Sequence, residues 1–509
     1  MSVVKASPLP RSGPIREALR EKGQFWTPDW VADFMTAYVL QDRPDRLLDP
    51  ALGEGAFFHA AKRYAKANHI AVALHGYDID KKVLEKAALT GLKRDDLQFV
   101  EMRDFALNPS LQQFPAIIAN PPYIRHHRLS IEKKKKLKSF AENVTGMHID
   151  GRAGLHVYFF LRALKALESG GRLAYIVSAD ICEGVFARVL WQWVSSNFRL
   201  DAVITFSSDA TPFPNIDTNA IVFLIKNDKP QAKFDWIRCL TKDSKEVISQ
   251  INGYKLTQQT EIELHSRPLK EALLNGLSRP PDEGIESHYT LRDFAFVMRG
   301  IATGDNDFFF MTEARARMLG IPPSLLIKAI GRTRDIDGDW LDTNDLKRLE
   351  ANDRPTRLLN INGILLQDLP RSVQEYIEAG RKKGLPEKAL IKTRKPWYRM
   401  ETRKAPPILF AYLGRRNARF IRNKARVVPL TSFLCIYALR SSSDFIDRLW
   451  AVLSHPKTVA NLIKVGKSYG ADAIKVEPRA LERLPLPEDL IKAHGLDTFI
   501  EPKQTALFQ

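Results

Sequence analysis

Strand and helix patterns alternate along roughly the first 230 residues of this chain. Residues 46–48 predict a strand that enters a glycine-bearing loop, and residues 56–68 have helical spacing with no breaker. This order repeats, and residues 201–206 and 219–226 then predict two strands joined by a polar, proline-bearing loop. Such alternation builds a mostly parallel sheet with helices on both faces, here with an antiparallel terminal strand. We therefore predict a doubly wound α/β fold.

The regular alternation weakens after residue 227. Proline breaks the pattern after Lys229, Arg267 and Arg279, and from about residue 290 short strand and helix patterns follow without repeated strand–helix order. This second region is typical of an α+β domain. The predicted organisation is a flexible N-terminus over 1–15, an α/β domain over 16–245, a junction over 246–289 and an α+β domain over 290–509.

Positive charge is concentrated late in the chain. The sequence has 77 Lys and Arg against 59 Asp and Glu, a net charge of +18, and residues 351–450 alone hold 21 basic and 8 acidic residues. Trp397 and Tyr398 are interleaved with these charges, as on surfaces that follow a phosphate backbone. A basic face that keeps the protein in solution or binds an acidic partner is the alternative. The separate lysine run 133–136 follows the fourth predicted strand, and we predict that it forms a solvated helix face beside a candidate active site.

Composition excludes several classes of protein. With 44% hydrophobic and 27% charged residues the chain is globular. Its three cysteines, Cys182, Cys239 and Cys435, are too far apart for a disulfide framework or a cysteine zinc cluster, and we expect no metal site. No run approaches the ~20 apolar residues of a membrane span, and residues 1–13 lack the apolar stretch of a signal peptide. We expect a cytoplasmic protein with no membrane partner.

Three loops that follow predicted strands suit an adenosine-bearing cofactor, since ligands of open α/β sheets bind at the carboxyl ends of strands. The first, Asp49-Pro-Ala-Leu-Gly53-Glu-Gly55, has glycines that let the backbone approach a ligand, next to a helix N-terminus. Asp78 ends the next strand, at about the spacing where a carboxylate takes ribose hydroxyls. Asp104 and Phe105 follow the third strand and can accept from an adenine amine and cover its ring. Surface turns are the alternative for each loop alone.

The fourth strand ends at Asn120-Pro121-Pro122-Tyr123, the most specific motif in the chain. Two prolines remove two backbone donors and stiffen the loop while keeping their carbonyl acceptors. The Asn120 amide oxygen and the Pro121 carbonyl can together accept both protons of an exocyclic amine and direct its lone pair toward an electrophile. Tyr123 can stack on the ring that carries the amine. A proline-rich turn with a packed tyrosine is the alternative.

This loop, with the glycine loop and Asp78 before it, closely resembles the amino-group methyltransferases that use S-adenosylmethionine. Gly23-Gln24-Phe25-Trp26-Thr27-Pro28 resembles the motif that opens the gamma-class DNA adenine-N6 methyltransferases, of which the TaqI methylase is the familiar type. The resemblance covers the N-terminal domain and implies a Rossmann-like catalytic sheet. It implies that the cofactor is held by Thr27, Asp49, Gly53, Gly55, Asp78, Asp104 and Phe105, and that a second aromatic, here Phe213, faces the adenine.

The second domain resembles the target-recognition domain of type II restriction-modification methylases in three segments, 299–308, 395–399 and 476–487. The resemblance implies that basic residues here contact the phosphates or guanines of double-stranded DNA. Trp397 and Tyr398 would be stacking or core residues. The basic residues that we predict to bind DNA are Arg299, Arg394, Lys395, Arg399, Arg415, Arg416 and Arg419.

The sequence therefore predicts a monomeric, site-specific enzyme that methylates N6 of an adenine flipped out of duplex DNA. A separately encoded restriction endonuclease is a candidate partner. An RNA amino-methyltransferase with the same Asn-Pro-Pro-Tyr chemistry is the alternative. A glutamine methyltransferase acting on release factors would leave the basic C-terminal region unexplained, and an inactive DNA-binding relative would need broken motifs.

Overall fold

A computed structural model describes residues 26–182, 186–207, 209–213, 219–253, 261–281, 287–411, 418–469 and 473–499. The described residues up to Pro281 form one unit, and those from Ser287 to Phe499 form a second. The flexible N-terminus predicted for residues 1–15 lies outside the described residues. Each unit has its own hydrophobic clusters.

One large sheet runs through the described part of the first unit. Its strands are β1 (Arg46–Asp49), β2 (Ala73–Asp78), β3 (Phe99–Met102), β4 (Phe114–Ala119), β5 (Leu167–Ser178), β6 (Arg199–Phe206), β7 (Ala220–Lys226), β8 (Lys233–Cys239) and β9 (Ile262–Pro268). The order is β3-β2-β1-β4-β5-β7-β6-β8-β9. Neighbours from β3 to β5 are parallel, and β7 lies antiparallel between β5 and β6. Because strand order reverses beside β1, loops from both halves meet at its carboxyl end.

Helices cover both faces of this sheet. They are α1 (Asp29–Val39), α2 (Ala56–Asn68), α3 (Lys81–Leu89), α4 (Ile131–Thr145), α5 (Leu155–Lys165), α6 (Ala187–Asn197), α7 (Lys245–Ile251) and α8 (Leu269–Asn275). Successive strand residues point to opposite faces: Leu47 packs with α1, α2, α3 and α7, whereas Leu48 packs in the cluster of α4, α5, α6 and α8. The predicted doubly wound α/β fold is confirmed.

The predicted junction over 246–289 needs correction, because most of its described residues continue the first unit. β9 pairs antiparallel with β8, which pairs parallel with β6. Arg267 holds this segment together: its fully buried guanidinium donates to the Glu271 carboxylate at 2.7 and 2.9 Å and to the Gly276 and Arg279 carbonyl oxygens. Charged residues and prolines hide β8 and β9 in the sequence pattern. The contacts of the buried Arg267 side chain hold the end of β9 and the residues after it together.

The second unit mixes short strands and helices. Its described strands are β10 (Ala295–Arg299), β11 (Phe310–Met311), β12 (Leu326–Ile330), β13 (Trp340–Leu341), β14 (Arg357–Leu359), β15 (Ile408–Ala411), β16 (Arg419–Asn423), β17 (Val428–Pro429), β18 (Phe433–Ala438), β19 (Lys467–Tyr469) and β20 (Ala473–Lys475). They form sheets ordered β10-β18-β15-β16-β13 and β11-β14-β12-β17, and the hairpin β19-β20. The predicted α+β character is confirmed.

The second unit also contains helices, most of them short. Those described are α9 (Asn306–Phe309), α10 (Glu313–Met318), α11 (Thr343–Ala351), α12 (Arg371–Lys382), α13 (Ser443–Ser454), α14 (Pro456–Ala460), α15 (Leu462–Val465), α16 (Pro478–Leu481) and α17 (Glu488–Ala493). Across the described residues of both units, every helix is too short or too polar to span a bilayer.

Candidate active site

A cavity of about 460 Å³ lies at the carboxyl ends of β1 to β4. Its volume is in the range of small-molecule sites, and its wall is built from the loops that follow these four strands. The predicted residues that line it are Thr27, Gly53, Asp78, Asp104, Phe105, Asn120 and Pro122. The sheet thus brings together residues that are up to 95 positions apart in the sequence, as the strand-end argument predicts.

The glycine loop links β1 to α2. Gly53 and Gly55 both have positive φ angles, +54° and +83°, which L-residues with side chains rarely adopt. The Gly53 N–H donates to Asp78 Oδ2 at 3.0 Å, and the Gly55 N–H donates to the Leu52 carbonyl at 3.0 Å before α2 begins. Gly53 lines the cavity, whereas Gly55 is turned toward Leu92 in the core. The two glycines therefore have different structural roles.

Asp49 lies beneath this loop and is not part of the cavity wall. Its side chain is fully buried, and Oδ1 accepts from the Ala51 N–H at 3.1 Å. Burial raises the pKa of Asp49 to about 8, the nearby Asp78 charge acts in the same direction, and the Ala51 N–H opposes them. Asp49 thus shapes the turn from within, rather than touching a ligand in the cavity as the sequence suggested.

Asp78 and Asp104 face the cavity with part of their oxygens already engaged. Asp78 accepts from Gly53 through Oδ2 and from the Asp80 N–H through Oδ1 at 2.8 Å. Asp104 Oδ1 accepts from the backbone N–H groups of residues 106 and 107, and Oδ2 contacts the Lys133 ammonium at 3.1 Å. These contacts hold both carboxylates in fixed orientations at the wall.

Phe105 is 1% exposed and supplies an aromatic surface at the same wall. Its ring packs against Tyr77 and Phe159, with centroids 5.9 and 5.3 Å away. This packing fixes the ring, so that an edge or face remains available to the cavity while the rest stabilises the core.

Asn120 is anchored by Thr27. The Asn120 Nδ2 group donates to Thr27 Oγ1 at 3.1 Å, across 93 residues of sequence, and both residues line the cavity. Because the amide nitrogen faces Thr27, the amide oxygen lies on the other side of the group. Thr27 therefore orients the amide of the Asn-Pro-Pro-Tyr loop as well as lining the cavity.

The other two predicted aromatic contacts lie away from the cavity wall. Tyr123 is half-buried, and its hydroxyl donates to the Ile176 carbonyl at 3.3 Å. Burial raises the Tyr123 pKa well above its usual value, with the Asp180 charge acting in the same direction. Phe213 is 8% exposed and packs in the hydrophobic cluster of α1 and α2. Pro121 is buried next to Asn120. Neither the Tyr123 ring nor the Phe213 ring lines the cavity.

The basic residues predicted to bind DNA differ in exposure and in the contacts that their side chains make within the second unit. Arg299 is exposed and pairs with Glu477, and Lys395 and Arg399 are exposed. Arg394 is half-buried and donates to the Ala302 carbonyl at 2.8 Å, and burial lowers its pKa. Arg419 donates to the carbonyls of residues 337 and 338, both at 2.9 Å. Its guanidinium therefore holds the protein backbone in place within the second unit. Arg415 and Arg416 lie outside the described residues.

Trp397 and Tyr398 are core residues of the second unit. They are 9% and 5% exposed and belong to one cluster with Phe308 and Phe309. Of the two roles considered for these rings, packing is the one that the structure supports.

Lys133 lines the cavity, whereas its lysine run was predicted to be a solvated helix face beside the site. It lies in the first turn of α4, after the Ser130 side chain caps the helix by accepting from the Lys133 N–H at 3.2 Å. Its neighbour Lys136 is 64% exposed and pairs with Glu132, as expected for a solvated face. The signal that distinguishes Lys133 is only its position two residues after the helix start, close behind the Asn-Pro-Pro-Tyr loop.

A glycine loop, carboxylates after two further strands and an anchored Asn-Pro-Pro-Tyr loop around one cavity define an S-adenosylmethionine-dependent methyltransferase of amino groups. Comparison with known proteins gives the family. Residues 15–268 match the N-6 DNA Methylase family model, and residues 283–505 match the C-terminal domain of the type II methyltransferase M.Eco57I. The chain belongs to the N-6 adenine DNA methyltransferases.

Individual relatives are similar along most of the chain. The type II methyltransferase M.AccI of Acinetobacter calcoaceticus is 26% identical over 507 residues, covering 96% of this chain and 88% of that protein. M.XamI of Xanthomonas campestris pv. amaranthicola is 24% identical over 485 residues, covering 93% and 86%. The fold is similar to that of the type IIL restriction-modification enzyme MmeI, solved in complex with DNA: the TM-score is 0.58 at 13% identity, covering 90% of this chain and 64% of MmeI.

Proposed function

We propose that this adenine methyltransferase is the gamma-class modification enzyme of a type II restriction-modification system and methylates one short sequence of double-stranded DNA. The Thr27–Asn120 hydrogen bond carries the proposal, because it joins the Thr-Pro motif that characterises this class to the Asn-Pro-Pro-Tyr loop. The similarity to two type II methyltransferases over most of their length also supports it. The proposed setting is the cytoplasm of a bacterium or archaeon, with the enzyme acting as a monomer beside a separately encoded endonuclease.

The cavity suits S-adenosylmethionine, which supplies the methyl group when bound. Gly53 lines the cavity, and an added Cβ there would have only the Ala51 carbonyl oxygen within 4 Å, at 3.9 Å. The missing side chain therefore leaves open space in which a ligand can approach the backbone closely. Asp78 and Asp104 provide carboxylate acceptors for ribose hydroxyls and an adenine amine, and Phe105 provides an apolar surface. We assign these four residues, with Thr27, to cofactor binding, and we assign Asp49 and Gly55 to shaping the loop.

On the substrate side, the target adenine has to leave the duplex, at an unstacking cost of a few kcal/mol. We assign the Asn120 amide oxygen and the Pro121 carbonyl as acceptors for its N6 protons, which turns the nitrogen lone pair toward the methyl group. Pro122 keeps this loop stiff. Tyr123 and Phe213 are the proposed aromatic partners of the base, Tyr123 because it continues the same loop. Orientation of the amine, rather than a strong general base, then carries the rate enhancement.

The second unit is the proposed DNA-recognition domain. Residues 287–499 hold 37 basic and 24 acidic residues, a net charge of +13. Lys395, Arg399 and Arg299 combine charge with exposure, and we propose them as phosphate contacts together with Arg394, Arg415 and Arg416. We also propose Arg419 as a phosphate contact, in addition to the backbone carbonyls to which its guanidinium already donates.

Asn120→Ala tests the assignment of the catalytic loop. We expect methyl transfer to fall by at least about a thousandfold while S-adenosylmethionine still binds, because the change removes an acceptor for the target amine and leaves the glycine loop intact. Asn68→Ala, at the exposed end of α2, is the matched control and should keep full activity. Methylation is measured on duplex DNA and on structured RNA, followed by mapping of N6-methyladenine. Substantial turnover by Asn120→Ala refutes the role of Asn120, and methylation of RNA alone refutes the proposed substrate.

A further inference from the structure

Lys133 connects α4 to the wall of the cofactor cavity. Its ammonium contacts Asp104 Oδ2 at 3.1 Å, and the side chains of Lys133 and Asp104 are 26% and 30% exposed. The residue lines the cavity together with Asp104 and Phe105. The other lysines of α4 are not among the residues that line the cavity, and Lys136 pairs with Glu132 at the surface.

The chemistry of this pair matches one edge of adenine. A lysine ammonium has three donors and no acceptor, whereas an ionised carboxylate only accepts. Adenine presents the reverse pattern, an amine donor beside a ring-nitrogen acceptor. Backbone N–H groups hold Asp104 Oδ1, so the edge that faces the cavity combines Oδ2 with the Lys133 ammonium. Asp104 alone can recognise only the amine, and Lys133 supplies the donor that a ring nitrogen needs.

We propose that Lys133 is a cofactor-binding residue, which donates to a ring nitrogen of the S-adenosylmethionine adenine while Asp104 accepts from its amine. This proposal rests on the cofactor site described under Proposed function. Most ion pairs between exposed side chains contribute little to the stability of a protein. Lys133 differs because one partner is itself a predicted cofactor ligand and because both side chains are mostly removed from solvent.

The test is equilibrium binding of S-adenosylmethionine and S-adenosylhomocysteine to the full-length chain, measured by calorimetry. Lys133→Met should raise both dissociation constants about tenfold, which is what loss of a charge-assisted hydrogen bond at a partly exposed site produces. The two ligands should respond alike because both carry adenine. Lys136→Met, the matched control on the same helix, should bind both within twofold of the wild type.

Two further measurements test whether Lys133 and Asp104 act together and whether Lys133 acts on cofactor binding alone. Asp104→Asn combined with Lys133→Met should weaken binding by less than the product of the single changes, because the two side chains act on one base edge. The KM for S-adenosylmethionine should rise for Lys133→Met while kcat at saturating cofactor stays within twofold. If Lys133→Met does not fold, Lys133→Gln, which keeps a donor without charge, should bind three- to tenfold more weakly than the wild type.

The outcomes distinguish this inference from the proposed function. A wild-type chain that binds neither ligand overturns the cofactor site itself. A wild-type chain that binds both, with equal or tighter binding by Lys133→Met, overturns only the role of Lys133. Independent, multiplicative effects of the Asp104 and Lys133 changes would also overturn it, because they would show that the two side chains do not recognise one edge together.

Discussion

The two glycines of the cofactor loop should respond differently to the same substitution. Both were predicted to bind the cofactor, but Gly53 lines the cavity and Gly55 does not. A Cβ at Gly53 would have only the Ala51 carbonyl oxygen within 4 Å, at 3.9 Å, whereas a Cβ at Gly55 would overlap Leu92 Cδ1 and approach Ala87 Cβ at 3.7 Å. We expect Gly53→Ala to impair cofactor binding and Gly55→Ala to impair stability.

The magnitudes follow from these surroundings. Alanine in the left-handed region raises the free energy of the folded state by about 1–2 kcal/mol. Alanine also lowers the chain entropy of the unfolded state, which favours folding by roughly 0.4–1 kcal/mol. The net destabilisation by Gly53→Ala should therefore be about 1 kcal/mol. Gly55→Ala adds overpacking against buried Leu92, which typically costs about 1–3 kcal/mol. The sum is about 2–4 kcal/mol, or a fall in Tm of roughly 5–15 °C for a domain of this size.

Denaturant unfolding gives the two free energies, and calorimetry at a temperature where both variants are folded gives the affinity for S-adenosylmethionine. Gly53→Ala should bind S-adenosylmethionine at least about tenfold more weakly, because the new methyl group occupies space in which the ligand would contact the protein backbone. Gly55→Ala should bind within a few-fold of the wild type. Equal loss of stability in the two variants, or weaker cofactor binding by Gly55→Ala than by Gly53→Ala, would refute the division of roles.

The double variant Gly55→Ala/Leu92→Ala isolates the steric part of this argument. Leu92→Ala alone should cost about 2–5 kcal/mol by leaving a cavity. The double variant should be less destabilised than the sum of the two changes, because the new methyl group then has room. Strict additivity would show that overlap with Leu92 is not the cause.

Two other predictions concern charge. The Asp49 carboxyl has a folded pKa of about 8, above its unfolded value, so the folded state holds more protons and the free energy of unfolding should fall as the pH rises from about 4 to about 8. Asp49→Asn should remove this decline in denaturant titrations at several pH values, and parallel profiles would contradict it. Lys395→Ala/Arg399→Ala should lower the slope of log affinity against log salt for duplex DNA by up to about 1.8, since each phosphate contact contributes about 0.9. An unchanged slope would exclude both residues as phosphate contacts.

The sequence predicted the parallel half of the fold well because each strand there is short, apolar and followed by a distinctive loop. It missed β8 and β9 because these outer strands alternate apolar with charged residues, and β9 ends at a proline. The feature that orders this segment, a buried arginine that serves Glu271 and two carbonyls, has no local pattern. Its partners become visible only once the chain has turned back on itself.

The candidate site shows the same limit. Strand-end reasoning brought Gly53, Asp78, Asp104 and Asn120 to one cavity, because the carboxyl ends of parallel strands share an edge. It could not separate Gly53 from Gly55, since the difference depends on what a Cβ would touch. Nor could it predict that Thr27 anchors Asn120, because periodicity has no information about a contact across 93 residues.

Charge along the sequence needs the structure before it can be interpreted as a surface. The basic segment 351–450 pairs with acidic residues that precede it in the second unit: Arg354 with Asp335 at 2.5 Å, and Arg357 with Glu350 at 2.8 Å. The local excess of the segment therefore overstates its own positive surface, because neighbours in space neutralise part of it. The second unit as a whole still carries +13, so the attraction to a polyanion belongs to the domain rather than to one stretch of sequence. Single substitutions within the segment should consequently weaken DNA binding most where the side chain is exposed, as at Lys395 and Arg399, and less at the half-buried Arg394, which already donates to a carbonyl.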